Sequence, residues 1–98
     1  MITKAQRQYL KGIANTTRSL VQIGKGGLTD NVLKSIDEIL TAHEIVKVDV
    51  LASCEQTAEE LSIEIASETR SDLVSVIGRK VTFYRKNREK TVIELPRK

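Results

Sequence analysis

The strongest constraint on this chain is Gln22-Ile23-Gly24-Lys25-Gly26-Gly27-Leu28-Thr29, where three glycines and one cation lie between a short apolar run and a helical pattern. The run Leu20-Val21-Gln22-Ile23, flanked by breakers, reads as a buried strand. Thr29 reads as an N-cap, with Asp30 in the first turn. Val32, Leu33, Ile36, Ile39 and Leu40 then share one face of a helix ending near His43. A strand that becomes a helix within a few residues needs backbone freedom, which glycine supplies through positive φ. The same glycines let another backbone approach closely, and the helix start offers unpaired N–H groups at the positive end of its dipole. A phosphate backbone is the natural user of such a loop.

The spacing narrows the chemistry. A P-loop needs four residues between its first glycine and Gly-Lys-Ser/Thr, and a dinucleotide fold needs Gly-x-Gly-x-x-Gly; neither is present. Gly24-Lys25-Gly26-Gly27 instead fits the Gly-x-x-Gly turn with which KH-like modules clamp a nucleic-acid backbone. An ordinary strand-to-helix turn would account for the same glycines.

Elsewhere, Thr3 with Gln6 forms a capping box opening a helix over residues 4–15, with Tyr9, Leu10, Ile13 and Ala14 at helical spacing. Residues 45–51 alternate, placing Val46, Val48 and Val50 on one side and Lys47 and Asp49 on the other, so this strand has one wet face and helices are expected mainly on one side of the sheet. Ser53 and Gln56 offer a second capping box for a helix carrying Ala58, Leu61, Ile65 and Ala66 and ending around Thr69. Leu73–Ile77 and Val81–Tyr84 form a hairpin about Gly78-Arg79-Lys80. Thr91–Leu95 is expected to add a short edge strand. The resulting fold class is α/β in the two-layer α+β sense, ordered α-β-α-β-α-β-β, with a mixed four-stranded sheet and right-handed crossovers. At 98 residues the chain is expected to be one domain, residues 1–98, with residues 87–98 a charged C-terminal extension.

Charge is unevenly spread. Residues 1–28 hold Lys4, Arg7, Lys11, Arg18 and Lys25 without an acid, and residues 70–98 have a net charge of +6, whereas residues 29–45 and 46–69 come to −3 and −5. Both chain ends are thus expected to build a cationic surface around the glycine loop, one that a solvated face would also explain. The single Cys54 and single His43 cannot form a disulfide or a zinc site, and neither is spaced to work as a nucleophile or general base. No segment has the ~20 apolar residues of a membrane span, and the N-terminus has no signal-peptide core, so a cytoplasmic protein away from the membrane is expected. Tyr9 and Phe83 read as core residues and Tyr84 is left open; the aromatics do not form a base-stacking platform.

Leu20–Thr29 together with Val76–Arg85 closely resembles the YhbY-type CRM family, the chloroplast RNA-splicing and ribosome-maturation domain. Thr3–Leu10 and His43–Val48 resemble its opening helix and second-strand entry, so the likeness spans residues 3–86. The resemblance implies a fold similar to the C-terminal domain of translation initiation factor three, RNA binding through the Gly-x-x-Gly loop, and association with ribosomal RNA in large-subunit precursors. Ribosomal proteins are further partners under this reading, and neither a small-molecule substrate, a cofactor nor a catalytic residue is implied. Carried onto this sequence, Gly24 and Gly27 frame the loop, Lys25 is its cation and Gly26 its variable position, with Thr29 at the helix start. Lys11 and Arg18 on one side, and Arg79, Lys80 and Arg85 with Lys86 and Arg88 on the other, would extend a basic track. Asp49 departs from what an RNA-facing strand should carry. The competing class is an adaptor whose acidic third helix, with Glu55, Glu59, Glu60, Glu64 and Glu68, docks a basic ribosomal protein or assembly factor.

Overall fold

A computed structural model describes residues 2–87, 89 and 91–96. Seven elements follow in the order α1 (Lys4–Ala14), β1 (Val21–Ile23), α2 (Asp30–His43), β2 (Ile45–Val50), α3 (Ala58–Thr69), β3 (Asp72–Ile77) and β4 (Lys80–Tyr84). The sheet runs β1-β2-β4-β3. β1 and β2 are parallel, and β4 is antiparallel to both of its neighbours. This is the expected mixed four-stranded sheet with three helices.

Local chemistry explains most element boundaries. The Thr3 hydroxyl accepts from Gln6 N–H while the Gln6 side chain accepts from Thr3 N–H, so two orphan donors of α1 are satisfied reciprocally. Thr29 caps α2 through Val32 N–H at 3.2 Å. The capping box of α3 is formed by Thr57 and Glu60, not Ser53 and Gln56. Both pairs satisfy the spacing rule, but only the second stands directly before the apolar stripe, and residues 51–56 form turns instead. The β3–β4 hairpin has a two-residue tip, Gly78-Arg79, in which only Gly78 has positive φ, at 60°. A positive first central residue is the II′ arrangement, whose twist matches the strands.

The main core lies between the sheet and the α2/α3 layer. Val21, Ile23, Val46, Val48, Val50, Val81 and Phe83 meet Ile36, Leu40, Leu61 and Ile65 there. Helices mainly on one side holds for α2 and α3, but α1 lies on the opposite face. A second cluster of Ile2, Leu10, Ile45, Val74 and Tyr84, covered by Ile13, Ile93 and Leu95, fixes it there. The "wet" positions of β2 are accordingly half-buried, and Lys47 Nζ donates to Ala14 O at the end of α1 (2.9 Å). Tyr9 is not a core residue: it is 47% exposed, because α1 turns Leu10 and Ala14 inward and leaves Tyr9 on its flank. Phe83 is fully buried and Tyr84 is 3% exposed.

The end of the sheet where β2 begins is closed by charge. Glu44, the C-cap of α2, is a fully buried carboxylate in the left-handed region (φ 65°). Its side chain accepts N–H groups from Asn87, Val92 and Ile93 at 2.5–2.6 Å. The expected strand over residues 91–95 is absent among the described residues, because this carboxylate takes the amides that a strand partner would need. Gln6 Nε2 also donates to Pro96 O (2.8 Å), so the tail packs along α1.

Candidate nucleic-acid interface

The glycine loop leaves the C-terminal end of β1 and enters α2. Gly27 N–H donates to Gly24 O at 3.0 Å, closing a turn with Lys25 and Gly26 at its exposed tip. Gly27 has φ 69°, a conformation few other residues adopt cheaply. At Gly24 the fit is close, since a Cβ there would stand 3.3 Å from Ser53 Oγ and 3.5 Å from Leu51 Cδ1, so the exposed Ser53 side chain would have to give by a few tenths of an ångström. Nothing lies within 4 Å of a Cβ built on Gly26. Gly27 therefore has a structural reason of its own and Gly24 a close contact, whereas the open cationic tip has neither.

Three further features converge on this end of the sheet. Leu51 N–H donates to Ile23 O and Val50 N–H to Arg79 O, both at 2.8 Å, which ties the end of β2 to the loop strand on one side and to the hairpin tip on the other. Lys25, Arg79 and Lys80 are all exposed there. The starts of α2 and α3 follow β1 and β2 directly, so the positive ends of two helix dipoles share this end of the sheet. A hollow of about 270 Å³ beside α3 is lined by residues including Gln56, Glu59, Gly78 and Arg79. Gln56 Oε1 also lies 3.8 Å from a Cβ built on Gly27. The site thus has a basic side at the loop and hairpin and an acidic side at α3, and it suits one strand of phosphates better than a broad anionic surface.

Not all expected site residues gather here. Thr29 does, although its hydroxyl is engaged as the helix cap. Lys11 lies in the last turn of α1, and Arg18 is exposed in the segment before β1. Arg85 lies at the opposite end, just past Tyr84, whose partner Ile45 begins β2. Its guanidinium donates to the Asp37 carboxylate (2.6 Å), Asp37 O, Thr69 O and Thr41 Oγ1. Those bonds fasten α2 to the end of α3 and make Arg85 a structural clasp, not a member of the loop site. Arg88 lies outside the described residues. Sequence reasoning missed Glu44 and the turn residue Ser53, which packs against Gly24. An acid directly after a helix, where the dipole disfavours it, was the available signal for Glu44.

The titration of the buried Tyr84 is displaced. Burial, then the nearby carboxylates Glu44 and Asp72, raise its phenol above the usual 10. Among the described residues no three His, Cys, Asp or Glu side chains converge to hold a metal ion, and no helix is long and apolar enough to cross a membrane.

The chain is 38% identical over 96 residues to Probable RNA-binding protein YqeI of Bacillus subtilis, covering 98% of this chain and all of that one. It is 36% identical over 97 residues to an RNA-binding protein of Haemophilus influenzae, covering 99% and 97%. The solution structure of a hypothetical RNA-binding protein from Staphylococcus aureus superposes with a TM-score of 0.82 at 41% identity, covering 98% of this chain and all of the other. The CRS1 / YhbY (CRM) domain matches residues 2–85, from Ile2 beneath α1 to the Arg85 clasp, and the chain belongs to that family.

Proposed function

We propose that this chain binds RNA by clamping its sugar-phosphate backbone with the Gly24–Gly27 turn, and that its target is ribosomal RNA in cytoplasmic precursors of the large ribosomal subunit. The observation that carries the reading is the exposed Lys25-Gly26 tip, held on the same sheet end as Arg79, Lys80 and the start of α2. The RNA-binding names of its relatives support the ligand class, and the family resemblance supports the ribosomal target. Backbone amides and three cations recognise phosphate geometry, not bases, so sequence preference is weak and salt dependence strong.

Filter binding of structured ribosomal RNA across a salt series tests this. With three phosphates neutralised, log K is expected to fall by about 2 to 3 per tenfold rise in salt. Lys25→Ala and Gly27→Asp should each weaken binding; aspartate tolerates positive φ better than most residues, so the second change adds charge repulsion with limited backbone cost. Unchanged affinity in both variants would exclude the loop. Sucrose-gradient sedimentation addresses the target: the protein should travel with large-subunit precursors and crosslink to their RNA, and a purely free distribution would count against the assembly role.

A further inference from the structure

Phosphate contacts give the cationic side of the loop site a task and leave its acidic side without one. The hollow of about 270 Å³ at the hairpin tip has walls of two kinds. Val50, Leu51 and Ala58 are apolar, whereas Gln56, Glu59 and Arg79 carry an amide, a carboxylate and a guanidinium. Glu60, the neighbouring acid, is occupied in the α3 capping box, while Glu59 is exposed. Among the described residues the one ion pair is Arg85–Asp37, so Glu59 and Arg79 line the hollow without pairing with each other.

Two of the lining residues also adjoin the glycine turn. Leu51 Cδ1 lies 3.5 Å from a Cβ built on Gly24, and Gln56 Oε1 lies 3.8 Å from one built on Gly27. The hairpin tip is held to the end of β2 by the bond from Val50 N–H to Arg79 O. A nucleotide whose phosphate rests on the turn therefore has the hollow within reach of its own base. The volume stands near the lower bound of small-ligand sites, about 300 Å³, a size that suits one base and not a base pair.

We infer that this hollow takes one unstacked guanine of a single-stranded RNA segment, an inference that rests on the RNA reading and names the ligand class at that site. Hydrogen-bond chemistry decides the base. A carboxylate only accepts, and its two oxygens match two adjacent N–H groups. Among the four RNA bases guanine alone offers such a pair, N1–H and N2–H, on one edge. Its O6 and N7 accept from arginine, the part open to Arg79. The apolar wall of Val50, Leu51 and Ala58 takes the place of the aromatic platform this chain lacks. A base turned into the hollow sets N–H groups, and not phosphate, beside Glu59. Duplex RNA cannot present that edge, because pairing already uses it.

The probe is a short fluorescein-labelled oligouridylate, compared with the same oligomer carrying one central guanosine, inosine or adenosine, and followed by anisotropy on the full chain. The guanosine oligomer is expected to bind about tenfold tighter than oligouridylate, within the discrimination of one bidentate contact. Inosine, which lacks the N2 amino group, should lose most of that gain and adenosine all of it. Glu59→Gln replaces an acceptor oxygen with a donor. It should erase the guanosine preference without weakening oligouridylate binding, its melting curve matching wild type. Lys25→Ala should instead weaken all four oligomers alike and keep their ratio. Equal affinity for the guanosine and adenosine oligomers, or a preference that survives in Glu59→Gln, would overturn the guanine site while leaving the loop reading intact. Binding of all four that ignores Lys25→Ala would overturn both, since the base is placed by the loop. Displacement of the guanosine oligomer by an equal concentration of free guanosine monophosphate would overturn the RNA ligand in favour of a nucleotide.

Discussion

Replacing Glu44 with alanine tests whether a buried charge, and not apolar packing alone, fastens the tail. The carboxylate accepts three backbone N–H groups at 2.5–2.6 Å with no exposure to water. Hydrogen bonds to a charged group contribute about 1.5–3 kcal/mol each. Val92 and Ile93 share one oxygen, and Val92 is half-exposed and regains water, so the three bonds do not add fully. A loss of roughly 2–4 kcal/mol is therefore expected for Glu44→Ala. Glu44→Gly removes the same bonds but relieves the left-handed backbone at φ 65°, a conformation costing other residues about 1–2 kcal/mol, so it should be about 1 kcal/mol less damaging than alanine. Urea unfolding gives the stability difference. Hydrogen exchange should show Asn87, Val92 and Ile93 amides losing protection in both variants. An alanine variant within about 0.5 kcal/mol of wild type, or tail amides that stay protected, would refute the argument.

Arg85→Ala should lower stability by about 1–2 kcal/mol through loss of its bonds to Asp37, Thr41 and Thr69, discounted because Asp37 is 57% exposed, and should leave RNA affinity in filter binding unchanged. Gly26→Ala should be neutral or gain up to about 1 kcal/mol by restricting the unfolded chain, whereas Gly27→Ala should cost about 1 kcal/mol or more at its positive φ; urea midpoints separate the two. Tyr84 should ionise above pH 10 in an ultraviolet titration of the folded protein. Because its folded value lies above its unfolded one, its contribution to stability is complete below about pH 10 and is lost as pH rises through the folded value, and Tyr84→Phe should flatten that alkaline loss.

The sequence carried the order of elements because each depends on local signals. Thr3/Gln6 and Thr29 mark helix starts, the alternation of Val46, Val48 and Val50 marks a strand, and Gly78 marks the hairpin. What was not legible depended on contacts between distant residues. Tyr9 and Leu10 are adjacent apolar residues of α1, and only the packing of Leu10 with Ile45, Val74 and Tyr84 decides that Leu10 is buried and Tyr9 exposed. Thr91–Leu95 has strand composition but loses two amides to a carboxylate 48 and 49 residues away. Arg85 has the same local appearance as Arg79, yet one clasps two helices and the other caps a hairpin. The loop itself was legible because glycine, cation and helix cap are neighbours in the chain. Its pairing with the hairpin tip rests on the β2–β4 register, which no short motif encodes.

The bond from Gln6 to Pro96 brings the beginning and the end of the described chain to one corner, beside Tyr84 and Asp72 and across the sheet's length from Lys25. A dye or surface anchor attached beside Gln6 or Pro96 would consequently hang from the far side of the molecule. Immobilised or labelled protein should keep its glycine turn open to solution, so both orientations on a sensor chip ought to report the same ligand affinity.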